Sequence, residues 1–221
     1  MKGYPVSSQN KSRYGKPSLP IRQKYLLAVL KLLIEAATII QAKKVIMPNM
    51  LENPITYHLD SEMQKLKKMD NKYNSLFWNI RPLHEVDDPL ERGEVDIKFQ
   101  WLQYPALNER YLGVEAKKLF GSGPSRSFEY VTEGVMDFIT CKYGQGHNYG
   151  IMLGYVVTGP FDKAIAAVDK SMMKHKKETA EQSAFVVNSS LSSYQHTYHS
   201  IHIQQGTSIA ITLIHLFFDF S

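Results

Sequence analysis

The stretch Glu94-Val95-Asp96-Ile97-Lys98-Phe99, with its continuation Tyr111-Leu112-Gly113-Val114-Glu115-Ala116-Lys117, decides how this chain is read. In the first segment Val95, Ile97 and Phe99 alternate with charged residues. In the second Leu112, Val114 and Ala116 alternate with Glu115 and Lys117. Period-two alternation predicts two β-strands whose successive side chains point to opposite faces. One face is then apolar, and the other gathers Glu94, Asp96 and Lys98 beside Gly113, Glu115 and Lys117. Two carboxylates and a lysine on neighbouring strands can hold a hard divalent cation and orient a water. The plain alternative is a hairpin with one wet face, whose opposite charges pair across strands for a few tenths of a kcal/mol.

Spelling alone does not choose between these. Acid-x-Lys occurs three times, at Asp70-Asn71-Lys72, Asp96-Ile97-Lys98 and Glu115-Ala116-Lys117. Asp70 lies in the polar run KKMDNKYN, which offers no strand. Glu115 and Lys117 lie inside an apolar strand preceded by a strand bearing Asp96.

Outward from this pair, Ile21 to Ile46 has helical spacing (Leu26, Leu27, Leu30, Leu33, Ile34, Ala37). A second helix is predicted with Asn53 as N-cap and Pro54 at its first position, running to Lys68. Residues 72–80 read as a strand or short helix, and His84 to Gly93 as an acidic loop. After Lys117 come a glycine–serine loop, a helix over residues 128–143, and an apolar strand over residues 151–158, expected to be buried on both faces. A helix from Pro160 to Glu178 and strands over 184–187, 194–203 and 208–220 complete the chain. Residues 1–20 read as a flexible basic arm and residues 21–221 as one domain. The class is α/β.

The 221 residues suffice for a substantial core. A net charge of +5 permits phosphate contacts without requiring them. The one cysteine, Cys141, excludes an internal disulfide and a cysteine-rich zinc cluster and fits a reducing cytoplasm. Met1 to Ser18 shows no apolar leader core, so no secretory signal is expected. Lys31 and Glu35 interrupt the first helix, which is read as a core helix and not a membrane span. His196, His199 and His202 are three residues apart. A strand scatters that spacing, so no zinc site is read there.

The order helix, strand, Asp-bearing strand, Glu-x-Lys strand, helix, strand resembles the PD-(D/E)xK, or restriction-endonuclease-like, nuclease superfamily. The likeness covers roughly Glu52 to Thr158, with Asp96, Glu115 and Lys117 as the signature and Val95 where the family name has proline. Glu115, Lys117, Leu119, Tyr130, Gly134, Phe138, Tyr143, Gly154, Tyr155 and the ending His215-Leu216-Phe217 are similar to a group of poorly characterised members. Asp137 departs from that pattern, which has a basic residue there. The resemblance implies an αβββαβ core with a central mixed sheet, here with an added N-terminal helix and C-terminal strands.

It further implies a Mg²⁺-dependent endonuclease acting on nucleic acid, DNA before RNA, in restriction or antiphage defence, with Mn²⁺ able to substitute. Asp96, Glu115 and the Ala116 carbonyl would hold the metal, and Lys117 would orient or deprotonate the water. The family adds an acid from the preceding helix: Glu52 is chosen, with Glu62 second and Glu94 third. Glu133 and Lys142 are candidates to approach substrate, and the lysines from Lys170 to Lys177 are a solvated helix end or a backbone-contact patch. The alternative function is a silent nuclease-fold binding or assembly module working with a partner protein. A homodimer is expected, through the first helix or the strand over 208–220.

Overall fold

The computed structural model describes residues 20–80, 95–101, 111–142 and 144–221. The proposed basic arm, the acidic loop, Glu94 and Tyr143 therefore lie outside the described residues, apart from Pro20. Helices α1 (Gln23–Lys43) and α2 (Glu52–Met69) come first, and a 3₁₀ turn (Asn71–Tyr73) then leads into strand β1 (Leu76–Ile80). Strands β2 (Ile97–Trp101) and β3 (Leu112–Phe120) follow. Helix α3 (127–139) is next, then β4 (Tyr149–Thr158), α4 (Phe161–Lys174), β5 (Glu181–Val187), β6 (Thr197–Ile203) and β7 (Ala210–Asp219).

The seven strands form one mixed sheet in the order β1-β2-β3-β4-β7-β6-β5. The pairs β3–β4 and β4–β7 are parallel and the others antiparallel. Helices cover both faces, and alternation along the strands divides the core. Ile151, Leu153, Tyr155 and Val157 of β4 join α1 and α2 in one apolar cluster. Met152 and Val156 join α3 and α4 in the other. A strand buried on both faces is what the unbroken apolar run of β4 demands.

Helix α1 is long and apolar enough to cross a membrane by length and composition alone. Here Leu26, Val29, Leu30, Leu33, Ala37 and Ile40 are buried in the core it shares with α2. Its wide apolar arc is thus used within the chain, which leaves Leu27 as its exposed large hydrophobic. Strand β7 has β4 and β6 on its two edges, so neither edge is open to pair with a strand of a second subunit.

Several boundaries differ from the sequence reading. Helix α2 starts at Glu52, with Leu51 and not Asn53 as N-cap, since the Ile55 N–H already donates to the Leu51 carbonyl. Pro54 fits inside the first turn because those N–H groups have no intrahelical partner to lose. Helix α4 stops at Lys174, short of Glu178, in a run of turns. Strand β5 begins at Glu181, earlier than residue 184. As a sheet edge it exposes Gln182 and Ala184, so it lacks the apolar alternation that marks a strand.

Gly154 stands in register with Lys117 on β3 and Phe217 on β7. A Cβ there would lie 2.4 Å from the Phe217 ring and 2.9 Å from a Leu119 methyl. Only a hydrogen lets Phe217 lie against the β4 backbone. Gly154→Ala is expected to cost about 1–3 kcal/mol by overpacking, lowering Tm by roughly 2–12 °C in a thermal melt. An unchanged Tm would show that the ring moves aside freely.

Candidate active site

Strands β2 and β3 pair only through Ile97–Val114, Lys98–Gly113 and Phe99–Leu112. Beyond Ile97 the chain leaves the ladder, and Val95 packs with the α3–α4 cluster rather than with Ile97 and Phe99, where alternation placed it. The separation leaves the Ala116 N–H without a strand partner. The Asp96 carboxylate takes that place, accepting from Ala116 N at 2.7 Å. A side chain standing in for a missing ladder bond fixes Asp96 beside β3.

Glu115 and Lys117 share the β3 face that meets α3. Lys117 Nζ lies 2.9 Å from Glu115 Oε1. The face is not the wet one that alternation implied, since Glu115 is only 5% exposed. Burial, and then the negative charge of Asp96, push the Glu115 carboxyl up to about 8. Burial works against the charge on Lys117, yet Glu115, Glu52 and Asp96 together hold the ammonium above its ordinary range. Above it, Gly134 in the π-helical part of α3 (Tyr130–Val135) passes so close that a Cβ would lie 2.4 Å from Met152 and 3.6 Å from Lys117 Cγ.

Glu52, the first residue of α2, joins the same cluster. Burial raises its carboxyl, Lys117 lowers it and Asp96 raises it again. The structure therefore brings Asp96, Glu115, Lys117 and Glu52 into one electrostatic group. Glu62 is not part of it: its Oε1 accepts from Lys43 and Lys65, each at 2.7 Å, which ties α2 to α1. Glu133 is exposed on α3. Lys142 pairs with Asp137 at 2.5 Å, and Asp137 in turn adds to the negative field on Glu115.

Two residues of this site escaped the sequence reading. Arg126, in the glycine–serine loop after β3, lies 3.7 Å from Glu52 and 3.0 Å from Glu129. A lone arginine directly after the Glu-x-Lys strand was the available signal. Lys118 is buried on the opposite face, donating to the Pro48 and Met50 carbonyls at 2.7 Å each. It holds the α1–α2 link, and hence the start of α2, where Glu52 can reach the group.

Among the described residues, no three His, Cys, Asp or Glu side chains converge closely enough to form a ligand set by themselves. The donor chemistry nevertheless fits Mg²⁺, which takes one or two carboxylates and completes its shell with water and substrate phosphate oxygens. The crowding that raises Glu115 is the electrostatic state a nearby cation relieves. The other histidine run behaves as a strand predicts: His202 is buried, and His199, an odd number of positions away, faces the opposite side of β6. Comparison with protein-family models, curated proteins and solved structures finds no match for the chain.

Proposed function

We propose that this chain is a Mg²⁺-dependent nuclease of the PD-(D/E)xK type that hydrolyses phosphodiester bonds, in DNA before RNA. The observation that carries the reading is the grouping of Asp96, Glu115, Lys117 and Glu52 where β2 parts from β3. The element order α2, β1, β2, β3, α3, β4, with β1–β2 and β2–β3 antiparallel and β3–β4 parallel, supports it.

Asp96, Glu115, the Ala116 carbonyl and Glu52 are the groups that would hold the metal. When bound, such an ion lowers the pKa of its water and neutralises charge on the phosphate. Lys117, held beside Glu115, orients the attacking water by donating a hydrogen bond or takes its proton. Arg126, paired with Glu52, sets the position of that carboxylate. Water adds at phosphorus, the ester P–O bond breaks, and the alcohol leaves carrying a proton. A cytoplasmic role in restriction or antiphage defence, with a partner protein, accords with the resemblance. A homodimer would allow both strands of a duplex to be cut.

Supercoiled plasmid incubated with the protein and Mg²⁺ or Mn²⁺ should be nicked or linearised, and EDTA should stop the reaction. Metal should also stabilise the fold by linkage, about 2.7 kcal/mol at a hundred times Kd. Asp96→Asn retains an acceptor for Ala116 N–H but removes the charge, so it should fold and lose most of that Tm shift. A second reading, a silent nuclease-fold module, is favoured by one observation. Glu115 is closed off by Lys117 and faces the added negative charge of Asp137. No wild-type Tm shift at millimolar metal, together with intact plasmid, would select that reading.

A further inference from the structure

Phe128 stands in the first turn of α3 and is 57% exposed. It is held in place from one side. The His175 imidazole, at the C-terminal end of α4, meets it edge-to-face with centroids 5.5 Å apart. His175 is flanked by Lys174, Lys176 and Lys177, all exposed. Lys176 has a counterion in Glu181 at 3.6 Å, whereas Lys170, Lys174 and Lys177 make no ion pair among the described residues. Lys170 and Lys174 are one helical turn apart, where uncompensated like charges are mildly destabilising. The helix dipole accounts for Lys174 in the last turn. It does not account for Lys170, nor for an exposed phenylalanine beside these cations. On the other flank, Arg126 reaches back to within 3.7 Å of Glu52. Through His175 the exposed ring meets the lysine-rich end of α4, and it lies close in the chain to Arg126, the residue that pairs with Glu52.

We propose that this surface, from Arg126 through Phe128 to Lys174 and Lys177, holds a single nucleic-acid strand that leads into the Glu52–Asp96–Glu115–Lys117 group. An unpaired base stacks on Phe128, and the lysines meet backbone phosphates. The inference rests on reading that group as a phosphodiester-cleaving site, and it supplies the substrate class: a strand with at least one unpaired base. Charge complementarity favours nucleic acid over a protein partner, because a protein docking here would bury free lysines against an apolar anchor.

The test is fluorescence anisotropy in EDTA with labelled oligothymidylate and oligouridylate of about 20 nucleotides, and a blunt duplex of the same length. Wild type should prefer the single strands, and the two oligomers report DNA against RNA. Phe128→Ala and Phe128→Leu should each weaken single-strand binding about ten-fold or more, while Phe128→Trp retains it. Lys174→Ala with Lys177→Ala should flatten the dependence on log[salt] by about 1–1.5. The proposal is overturned by wild type that ignores single strands, or by Phe128→Ala that binds as wild type does. Loss in Phe128→Ala but not in Phe128→Leu also overturns it, since an apolar anchor for a protein would then explain the ring. Phe128-dependent binding with neither plasmid nor the single-stranded oligomers cleaved in Mg²⁺ would end the nuclease reading and leave the strand platform standing. Cleavage with binding that is indifferent to Phe128 would do the reverse.

Discussion

Plasmid treated with Lys117→Ala and Mg²⁺ is expected to stay supercoiled, with cleavage at least about a hundred-fold below wild type. The ammonium is placed by Glu115 at 2.9 Å and by the close passage of Gly134 over its stem, so no neighbouring cation can replace it at that point. Arg126 is engaged with Glu129 and Glu52, and Lys118 points through the sheet to the α1–α2 link. Removing Lys117 also leaves Glu115 buried without its partner. Its carboxyl, already at about 8, then rises further and holds its proton more tightly, which weakens the site's hold on a cation. The loss therefore has two sources. Metal titration followed by Tm separates them: a retained shift assigns the loss to the action of Lys117 on the water, and a vanished one to the ligand. Cleavage at the wild-type rate in a folded Lys117→Ala protein would remove Lys117 from the mechanism.

The second large effect is on stability in acid. Tyr130, His215, Ser200 and His202 form a buried chain of hydrogen bonds that ends on the Thr179 carbonyl. That carbonyl can only accept, so His202 donates from Nδ1 and accepts at Nε2 from the Ser200 hydroxyl. Ser200 in turn accepts from His215 Nε2, and His215 Nδ1 accepts from the Tyr130 hydroxyl. Every proton is assigned by one terminal acceptor, and both imidazoles are neutral.

Burial lowers His202 from 6.5 to about 4, and burial with the nearby His202 and His199 lowers His215 well below its ordinary value. Since the folded values are depressed, the stabilisation is complete above about pH 6.5. It is lost as pH falls, because the unfolded chain takes up protons first. For His202 alone the gap corresponds to about 3 kcal/mol. Glu115 works in the opposite sense between about pH 8 and 4.5, so the useful quantity is a difference. The stability of wild type relative to His202→Gln, measured by urea unfolding, should fall by about 3 kcal/mol between pH 7 and pH 4. A pH-independent difference would mean that the imidazole protonates in the fold without disturbing its neighbours.

What the sequence revealed about the fold was whatever rests on local period. Alternation marked β2 and β3, an unbroken apolar run marked β4, and helical spacing marked α1 and α2. Asp96, Glu115 and Lys117 were readable because they lie just before or within two successive strands; Glu52 was singled out only by the resemblance to the nuclease superfamily. The rest depends on spatial order, which chain order does not carry. Nothing local places β7 between β4 and β6, and so nothing local brings His215 to Ser200. Lys118 drew no reading of its own, although its position just after Lys117 sends it to the opposite layer. The π-helical turn that brings Gly134 over Lys117 has no signature distinct from an ordinary helix. Asn53 had the chemistry of a cap, but the backbone two residues upstream had already closed the first turn.

The consecutive pair Lys117–Lys118 has a consequence for how the chain finds its fold. A slip of β3 by one residue relative to β4 would exchange the faces of every side chain on it. Ala116 and Lys118 would then face α3, and Glu115 and Lys117 would be driven among the aliphatic side chains of α1 and α2. Buried ionic groups add little to the stability of the arrangement that satisfies them, yet they penalise heavily one that does not. The residues gathered for chemistry thus also act as a check on strand alignment. Replacing Glu115 and Lys117 together by leucine would remove that check, yielding a sheet that is no less stable but less uniquely aligned.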